Sequence, residues 1–143
     1  MVNLQTRCMV ETAIFAQWMH DEGSPLFYAR WESGEIDIVY LNEVDVSWCV
    51  EVKWSNRYAE NPGELKSLRS FAKKHKLQSP TITTIDIDKI AIYDGLSLSF
   101  IPASLYCYTV ARNLVSGKFG RNSMSEYFDE SNIANLQIIK SID

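Results

Sequence analysis

A carboxylate and an ammonium group, Glu51 and Lys53, interrupt an otherwise apolar run, residues 48–54. Successive side chains of a strand point to opposite faces. Both charged groups therefore share one face, while the tryptophans and valines of the run share the other. Burying a charge in the middle of a sheet is costly unless the charge is paired or binds a metal ion. The spacing indicates either a face that is open to solvent or a site that binds a ligand.

Asp37 adds a second carboxylate from the preceding apolar segment. Residues 36–41 are rich in β-branched and aromatic side chains and predict a strand. A short link joins this strand to the next, and a hairpin there brings Asp37, Glu51 and Lys53 to one face where the register allows it. Mg²⁺ prefers one or two carboxylates together with water and phosphate oxygens, and a lysine can stabilise charge or help to activate water. The simpler interpretation is a charged, solvated strand face, although the strand of Glu51 is too apolar for an edge.

Glu11 is a third carboxylate, in the first predicted helix. Residues 4–20 predict this helix, because Val10, Ile14 and Trp18 follow a spacing of four. Glu11 borders the apolar stripe instead of lying opposite it. A single glutamate in such a place is more often a surface residue, so its value comes from its combination with the other two carboxylates.

The combination resembles the PD-(D/E)XK, or restriction-endonuclease-like, nuclease superfamily. It is most similar to the C-terminal domain found behind the ATPase domain in many uncharacterised archaeal and bacterial AAA-type ATPases. The similarity spans about residues 7–115, and its four ordered blocks are Val10-Glu11 in the helix, the aromatic strand 26–31, Gly34 to Val39, and Glu51-Val52-Lys53. The resemblance implies an α/β fold with a central mixed sheet flanked by helices and a core of helix, three strands, helix and strand.

The resemblance also implies roles for single residues. Asp37 and Glu51 would be ligands of Mg²⁺ or Mn²⁺, Lys53 would be catalytic, and Glu11 would support the site from the helix. The expected function is Mg²⁺-dependent phosphodiester hydrolysis of DNA. The alternative is a catalytically inactive nuclease-like module that assembles or regulates an AAA-type ATPase, which would then be its partner. The sequence contains no Walker-type phosphate loop, so we expect either an excised fragment of such an ATPase or a standalone relative.

Basic residues follow the strand of Glu51. Asn61, Pro62 and Glu64 predict the start of a helix. The outward-facing cations of that helix, with one from the preceding loop, are Lys66, Arg69, Lys73, Lys76 and Arg57. They form either a ridge that contacts DNA phosphates without reading sequence or an ordinary solvated helix face. The net charge of −4 argues against broad affinity for nucleic acid.

Composition sets the remaining expectations. Residues 1–115 are predicted to form the nuclease-like domain, and residues 116–143 an apolar C-terminal extension that packs on the core or docks on a partner. No apolar run approaches the roughly 20 residues needed to cross a bilayer. The 3 cysteines are far apart and lack a Cys-x-x-Cys pairing, which is typical of a reducing cytoplasm. An oligomeric assembly is compatible with the sequence.

Overall fold

The structure is a computed structural model that describes residues 4–19 and 26–115. Its helices are α1 (Leu4–Trp18), α2 (Arg57–Glu60), α3 (Lys66–Lys74) and α4 (Ala103–Val115), with a 3₁₀ turn at Pro62–Glu64. Its strands are β1 (Leu26–Trp31), β2 (Gly34–Asn42), β3 (Asp45–Glu51), β4 (Thr81–Thr84), β5 (Lys89–Tyr93) and β6 (Leu96–Pro102). The predicted C-terminal extension, residues 116–143, lies outside the described residues.

The strands form one mixed sheet in the order β1-β2-β3-β4-β6-β5. The first three strands make an antiparallel meander, β4 is parallel to both β3 and β6, and β5 pairs antiparallel with β6. Parallel neighbours need a long crossover, and α2 and α3 supply it between β3 and β4. The α/β class and the predicted order of helix, three strands, helix and strand are confirmed at this level.

Apolar clusters cover both faces of the sheet. On one face Trp48, Val50 and Val52 pack with Ile14 of α1 and Tyr106 of α4. The opposite face packs against α3 through Val39, Cys49, Leu68, Phe71 and Ala72. The predicted division of the Trp48–Trp54 run is confirmed, because its tryptophans and valines share the first cluster while Cys49 belongs to the second. Within the described ranges, no helix is long and apolar enough to cross a membrane.

Turn chemistry defines the second predicted hairpin. Tyr93 pairs with Leu96 across β5 and β6, and Asp94 and Gly95 between them have φ of 54° and 78°. Two successive left-handed residues are the requirement of a type I′ turn, which Asp-Gly satisfies at low cost.

Three predicted boundaries are wrong. The crossover helix begins at Lys66, not at Asn61, whose side chain bonds the Arg57 carbonyl instead of capping a helix. Lys76 lies beyond the end of α3, with a φ of 58°. Strand β3 ends at Glu51 instead of Trp54, because side chains, not strand backbone, take the amides that follow.

Candidate functional site

A β-bulge places Asp37. Phe27 of β1 pairs with Val39 and Ala29 with Ile36, so two steps along β1 oppose three along β2. The extra residue falls between Ile36 and Val39, and the strand changes the face it presents there: Ile36 packs on the α3 side and Ile38 on the α1 side. Bulges re-aim side chains and are frequent next to active sites.

The carboxylate of Asp37 replaces a strand partner at the end of β3. Its Oδ2 accepts the Val52 backbone N–H at 2.7 Å, and the residue is 8% exposed. Burial raises the pKa of Asp37, the Val52 N–H and the charge of Lys53 oppose that rise, and the charge of Glu11 adds to it. Asp37 therefore lies within electrostatic reach of both the lysine and the helical glutamate.

Glu51 and Lys53 form a nearly buried ion pair. The Lys53 Nζ lies 2.6 Å from Glu51 Oε1, and their side chains are 14% and 8% exposed. The second carboxylate oxygen, Oε2, is buried and has no hydrogen-bond partner among the described residues. Burial is the largest influence on Glu51, and with a contribution from the charge of Asp37 it raises the pKa to about 7 despite Lys53. A buried acceptor without a donor is costly, so this oxygen is suited to a cation or a donor from a ligand.

Thr83 fixes the backbone of Lys53. Its Oγ1 accepts the Lys53 N–H at 2.7 Å and donates to the Lys53 carbonyl at 2.8 Å. Thr83 is fully buried on β4, and the Lys53 ammonium lies 5.6 Å from the centroid of the Tyr58 ring. The lysine is thus held by its backbone while its side chain reaches Glu51. Sequence reasoning missed Thr83, because only the parallel pairing of β3 and β4 brings it here.

Helix α1 contributes Glu11 together with a residue that sequence reasoning missed, Arg7. The Arg7 Nε donates to Glu11 Oε1 at 3.0 Å across one helical turn. The charge of Glu11 raises the pKa of Asp37 and that of Arg7 lowers it. The predicted supporting role of Glu11 stays a prediction, but its carboxylate is coupled to Asp37 and is paired with a cation.

A cavity of about 380 Å³ opens beside the ion pair. Its walls are the turn between β1 and β2, the start of α3, and the residues that follow β3. The lining residues are Arg30, Trp31, Glu32, Gly34, Glu35, Glu51, Lys53, Tyr58, Glu64, Leu65, Lys66, Ser67 and Leu68. Asp37 is not among them, although its charge contributes to the raised pKa of Glu51, which does line the cavity.

Three of the five predicted DNA-contacting cations are engaged within the domain. Arg57 pairs with Glu64 at 2.9 Å, while Arg69 and Lys73 both pair with Asp94, at 3.0 and 2.7 Å. The remaining two differ: Lys66 lines the cavity, and Lys76 is exposed beyond the helix. The ridge of solvated charges that the helix pattern predicts is therefore partly neutralised.

The donor chemistry of Asp37 and Glu51 fits a hard divalent cation. Both offer carboxylate oxygens, and no donor in the described part of the chain competes for Oε2 of Glu51. Within residues 4–19 and 26–115, no group of three or more His, Cys, Asp or Glu side chains is arranged around one point. Glu11 therefore does not join the other two as a third ligand, and two carboxylates are the number that Mg²⁺ commonly uses with water and phosphate.

The chain matches no protein-family model, no curated protein and no solved structure. Its function is therefore inferred from the side chains described above.

Proposed function

We propose that the protein is a restriction-endonuclease-like phosphodiesterase that hydrolyses DNA with Mg²⁺ or Mn²⁺. The observation that carries the proposal is the state of Glu51, which is buried, lines an open cavity and holds the Lys53 ammonium on one oxygen, while its other oxygen has no donor among the described residues. A purely structural ion pair would be expected to satisfy both oxygens, because an unpaired buried acceptor destabilises the fold.

Each side chain has a defined task in this reaction. Asp37 and Glu51 would hold the cation, which when bound supplies Lewis-acid stabilisation of phosphate oxygens and acidifies water. The Lys53 ammonium would stabilise the negative charge that develops on the phosphate. Thr83 keeps Lys53 in place through its two backbone hydrogen bonds. Glu11 would act through its effect on the charge of Asp37.

The charge balance of the site agrees with this assignment. Three carboxylates, Glu11, Asp37 and Glu51, face the cations Arg7 and Lys53, so the ionised group carries one net negative charge. This group would repel a phosphodiester. A divalent cation reverses the sign and makes the site attractive to one, which gives a physical reason for metal dependence.

The direct test is cleavage of duplex, single-stranded and branched DNA in Mg²⁺, Mn²⁺ and EDTA. We expect product only with a divalent cation, and loss of product in Lys53→Ala and Asp37→Asn. DNA binding should survive in Lys53→Ala, since the substitution removes charge stabilisation and leaves both carboxylates. Robust binding with no metal-dependent product on any of the three substrates would count against the enzyme.

A specific observation favours the second candidate, an inactive nuclease-like module that docks on an AAA-type ATPase. Arg69 and Lys73 share Asp94, which weakens the phosphate ridge. On the edge strand β5, Ile90 and Ile92 are 61% and 76% exposed, and exposed apolar patches commonly mark protein contacts. This candidate predicts no cleavage under any metal condition and little DNA affinity that depends on salt.

A further inference from the structure

The first turn of helix α3 lines the cavity, and no side chain among the described residues caps the N-terminus of this helix. Leu65 precedes the first turn and has no side-chain oxygen, and the turn contains no acidic residue. Arg69 is the first residue of the helix whose amide has an intrachain acceptor, the Leu65 carbonyl at 3.0 Å. Among the described residues nothing accepts the amides of Lys66, Ser67 and Leu68. Such amides, with the helix dipole, favour an anion.

An independent observation on the same cavity indicates a ligand. Glu51 is 6% exposed and lines the cavity, and its Oε2 has no partner within residues 4–19 and 26–115. The residue that carries the unpaired acceptor and the residues that carry the unpaired amides therefore line the same cavity, among the residues that the structure describes. A nucleic-acid strand bound together with a divalent cation would satisfy both groups, because the cation brings positive charge to the carboxylate and a neighbouring phosphate brings oxygens to the amides.

Gly34 allows the two walls to approach. A Cβ added at this position would lie 2.6 Å from the Ser67 hydroxyl oxygen and 2.6 Å from the Trp31 ring. The first turn of α3 therefore lies directly against the start of β2, and both Gly34 and Ser67 line the cavity. Lys66 also lines the cavity, and it makes no ion pair among the described residues.

We propose that the first turn of α3 is a phosphate subsite for a nucleic-acid strand. The amides of Lys66, Ser67 and Leu68, the Ser67 hydroxyl and the Lys66 ammonium bind a phosphodiester group next to the one that is hydrolysed. The assignment rests on the proposed nuclease function for its substrate, but the subsite itself binds phosphate without chemistry.

A proline at the first helical position isolates the backbone contribution. Lys66→Pro removes one amide and the ammonium, whereas Lys66→Ala removes the ammonium alone, and proline is well accepted at this position. Binding of a labelled oligonucleotide is measured in Ca²⁺ and in EDTA over a range of salt. Lys66→Ala should reduce the salt dependence by about one phosphate contact. Lys66→Pro should bind about ten-fold more weakly than Lys66→Ala, the expected loss for one hydrogen bond to a charged group.

Ser67→Asp provides a test that does not depend on the proline variant folding. A carboxylate in the first turn stabilises a helix but repels phosphate. Its melting temperature should stay close to that of the wild type, because the favourable charge in the first turn offsets the crowding of the longer side chain against Gly34, while oligonucleotide binding is largely lost. A first turn without a binding role would give wild-type affinity in Ser67→Asp and equal affinity in the two Lys66 variants, and either result overturns the subsite.

The same measurements separate this inference from the proposed function. If Ser67→Asp loses oligonucleotide binding and the wild-type protein never cleaves, the subsite is supported and the nuclease function is rejected. Metal-dependent cleavage with an unchanged KM in Ser67→Asp and Lys66→Pro retains the nuclease and rejects the subsite. A mononucleotide that competes as well as the oligonucleotide would overturn the assignment to a strand.

Discussion

Two carboxylate–cation clusters of this protein contain similar groups, but the pKa of the carboxyl is raised in one and lowered in the other. At the end of β3, Glu51 pairs with Lys53 in a nearly buried setting, and burial raises the pKa of Glu51 to about 7. At the turn between β5 and β6, Asp94 binds Lys73 and Arg69 in a more exposed setting, and the hydrogen bond from Lys73 is the largest cause of the lowered pKa of Asp94. Both clusters contain a lysine within 2.7 Å of a carboxylate oxygen.

The two carboxylates differ in how far cations and water offset their negative charge. Asp94 meets two cations, remains accessible to water and joins α3 to the β5–β6 turn, so it has a structural explanation. Glu51 is nearly buried and pairs with Lys53, and in the part of the chain that the structure describes its Oε2 lacks a donor. A strongly shifted carboxyl in a cleft with a named charge partner is a candidate functional group. An ion pair alone therefore does not mark a candidate site in this protein. The unpaired buried oxygen of Glu51 is what distinguishes its pair from the pairs of Asp94.

The largest expected effect compares matched lysine substitutions in the two clusters. Lys53→Ala should lower metal-dependent cleavage by at least about 100-fold, because it removes charge stabilisation at the reacting phosphate. Lys73→Ala, which removes the lysine of the other cluster, should change cleavage by only a few-fold. Initial rates at saturating DNA check this. Equal losses in the two variants would remove the distinction between a functional and a structural pair.

The second prediction uses the pH dependence of stability without metal. Because the pKa of Glu51 is raised in the folded state, the folded protein binds more protons than the unfolded chain. The stabilisation is fully present below the unfolded pKa and is lost as pH rises through about 7. We expect the free energy of unfolding to fall by roughly 3 kcal/mol between pH 4.5 and pH 8 from this group.

Glu51→Gln is the control for that titration. The variant should lose most of the decline, and Mg²⁺ should restore wild-type stability at pH 8, because the cation binds the ionised carboxylate. Urea unfolding in EDTA and in Mg²⁺ measures both effects. Asp94 has a lowered pKa, so its contribution has the opposite sign: it is present above the unfolded pKa and is lost only as the pH falls through the lower folded value. Identical pH profiles for the wild type and Glu51→Gln would refute the assignment.

The sequence predicted the periodic parts of this arrangement and missed those that depend on register. Alternation placed Glu51 and Lys53 on one side of the run 48–54, where the two form an ion pair although β3 itself ends at Glu51. Asp-Gly marked the β5–β6 turn, and both signals are local. The bulge at Asp37 depends on how β1 pairs with β2, which no local pattern encodes. The start of α3 was misplaced because Asn61-Pro62 resembles a helix start, whereas the chain forms a 3₁₀ turn there first.

Thr83 is the clearest site residue that sequence could not supply. It lies 30 positions from Lys53, and threonines are ordinary residues of strands. Only the parallel pairing of β3 with β4 reveals that its hydroxyl serves the lysine backbone. Its neighbour Thr84 is equally buried and donates to the Ile87 carbonyl at 2.6 Å, away from the site. These two residues make a matched pair for experiment.

The third prediction compares Thr83→Val with Thr84→Val. Each removes a buried hydroxyl and should cost about 1 to 3 kcal/mol of stability, since backbone partners are left unsatisfied. Only Thr83→Val should also lower kcat, with KM little changed, because the lysine is then less well positioned. Thermal melting and steady-state kinetics measure the two effects. Equal kcat values in the two variants, at equal stability, would show that Thr83 only supports the fold.

The smallest expected effect concerns the charge that Asp94 neutralises. If Arg69 and Lys73 can contact DNA phosphates, Asp94→Asn should strengthen DNA binding by a few-fold, because both cations regain their full positive field. The slope of log affinity against log salt should steepen by up to about two phosphate contacts. Asp88→Asn changes the net charge equally on an exposed residue that makes no ion pair among the described residues, so it controls for charge alone. Fluorescence anisotropy on one duplex across a salt series measures both variants. If they bind alike, α3 carries no phosphate ridge beyond its first turn. The ion pairs of Asp94 with Arg69 and Lys73 would then have only a structural role. Of the two clusters, the Glu51–Lys53 pair alone would keep its proposed functional role.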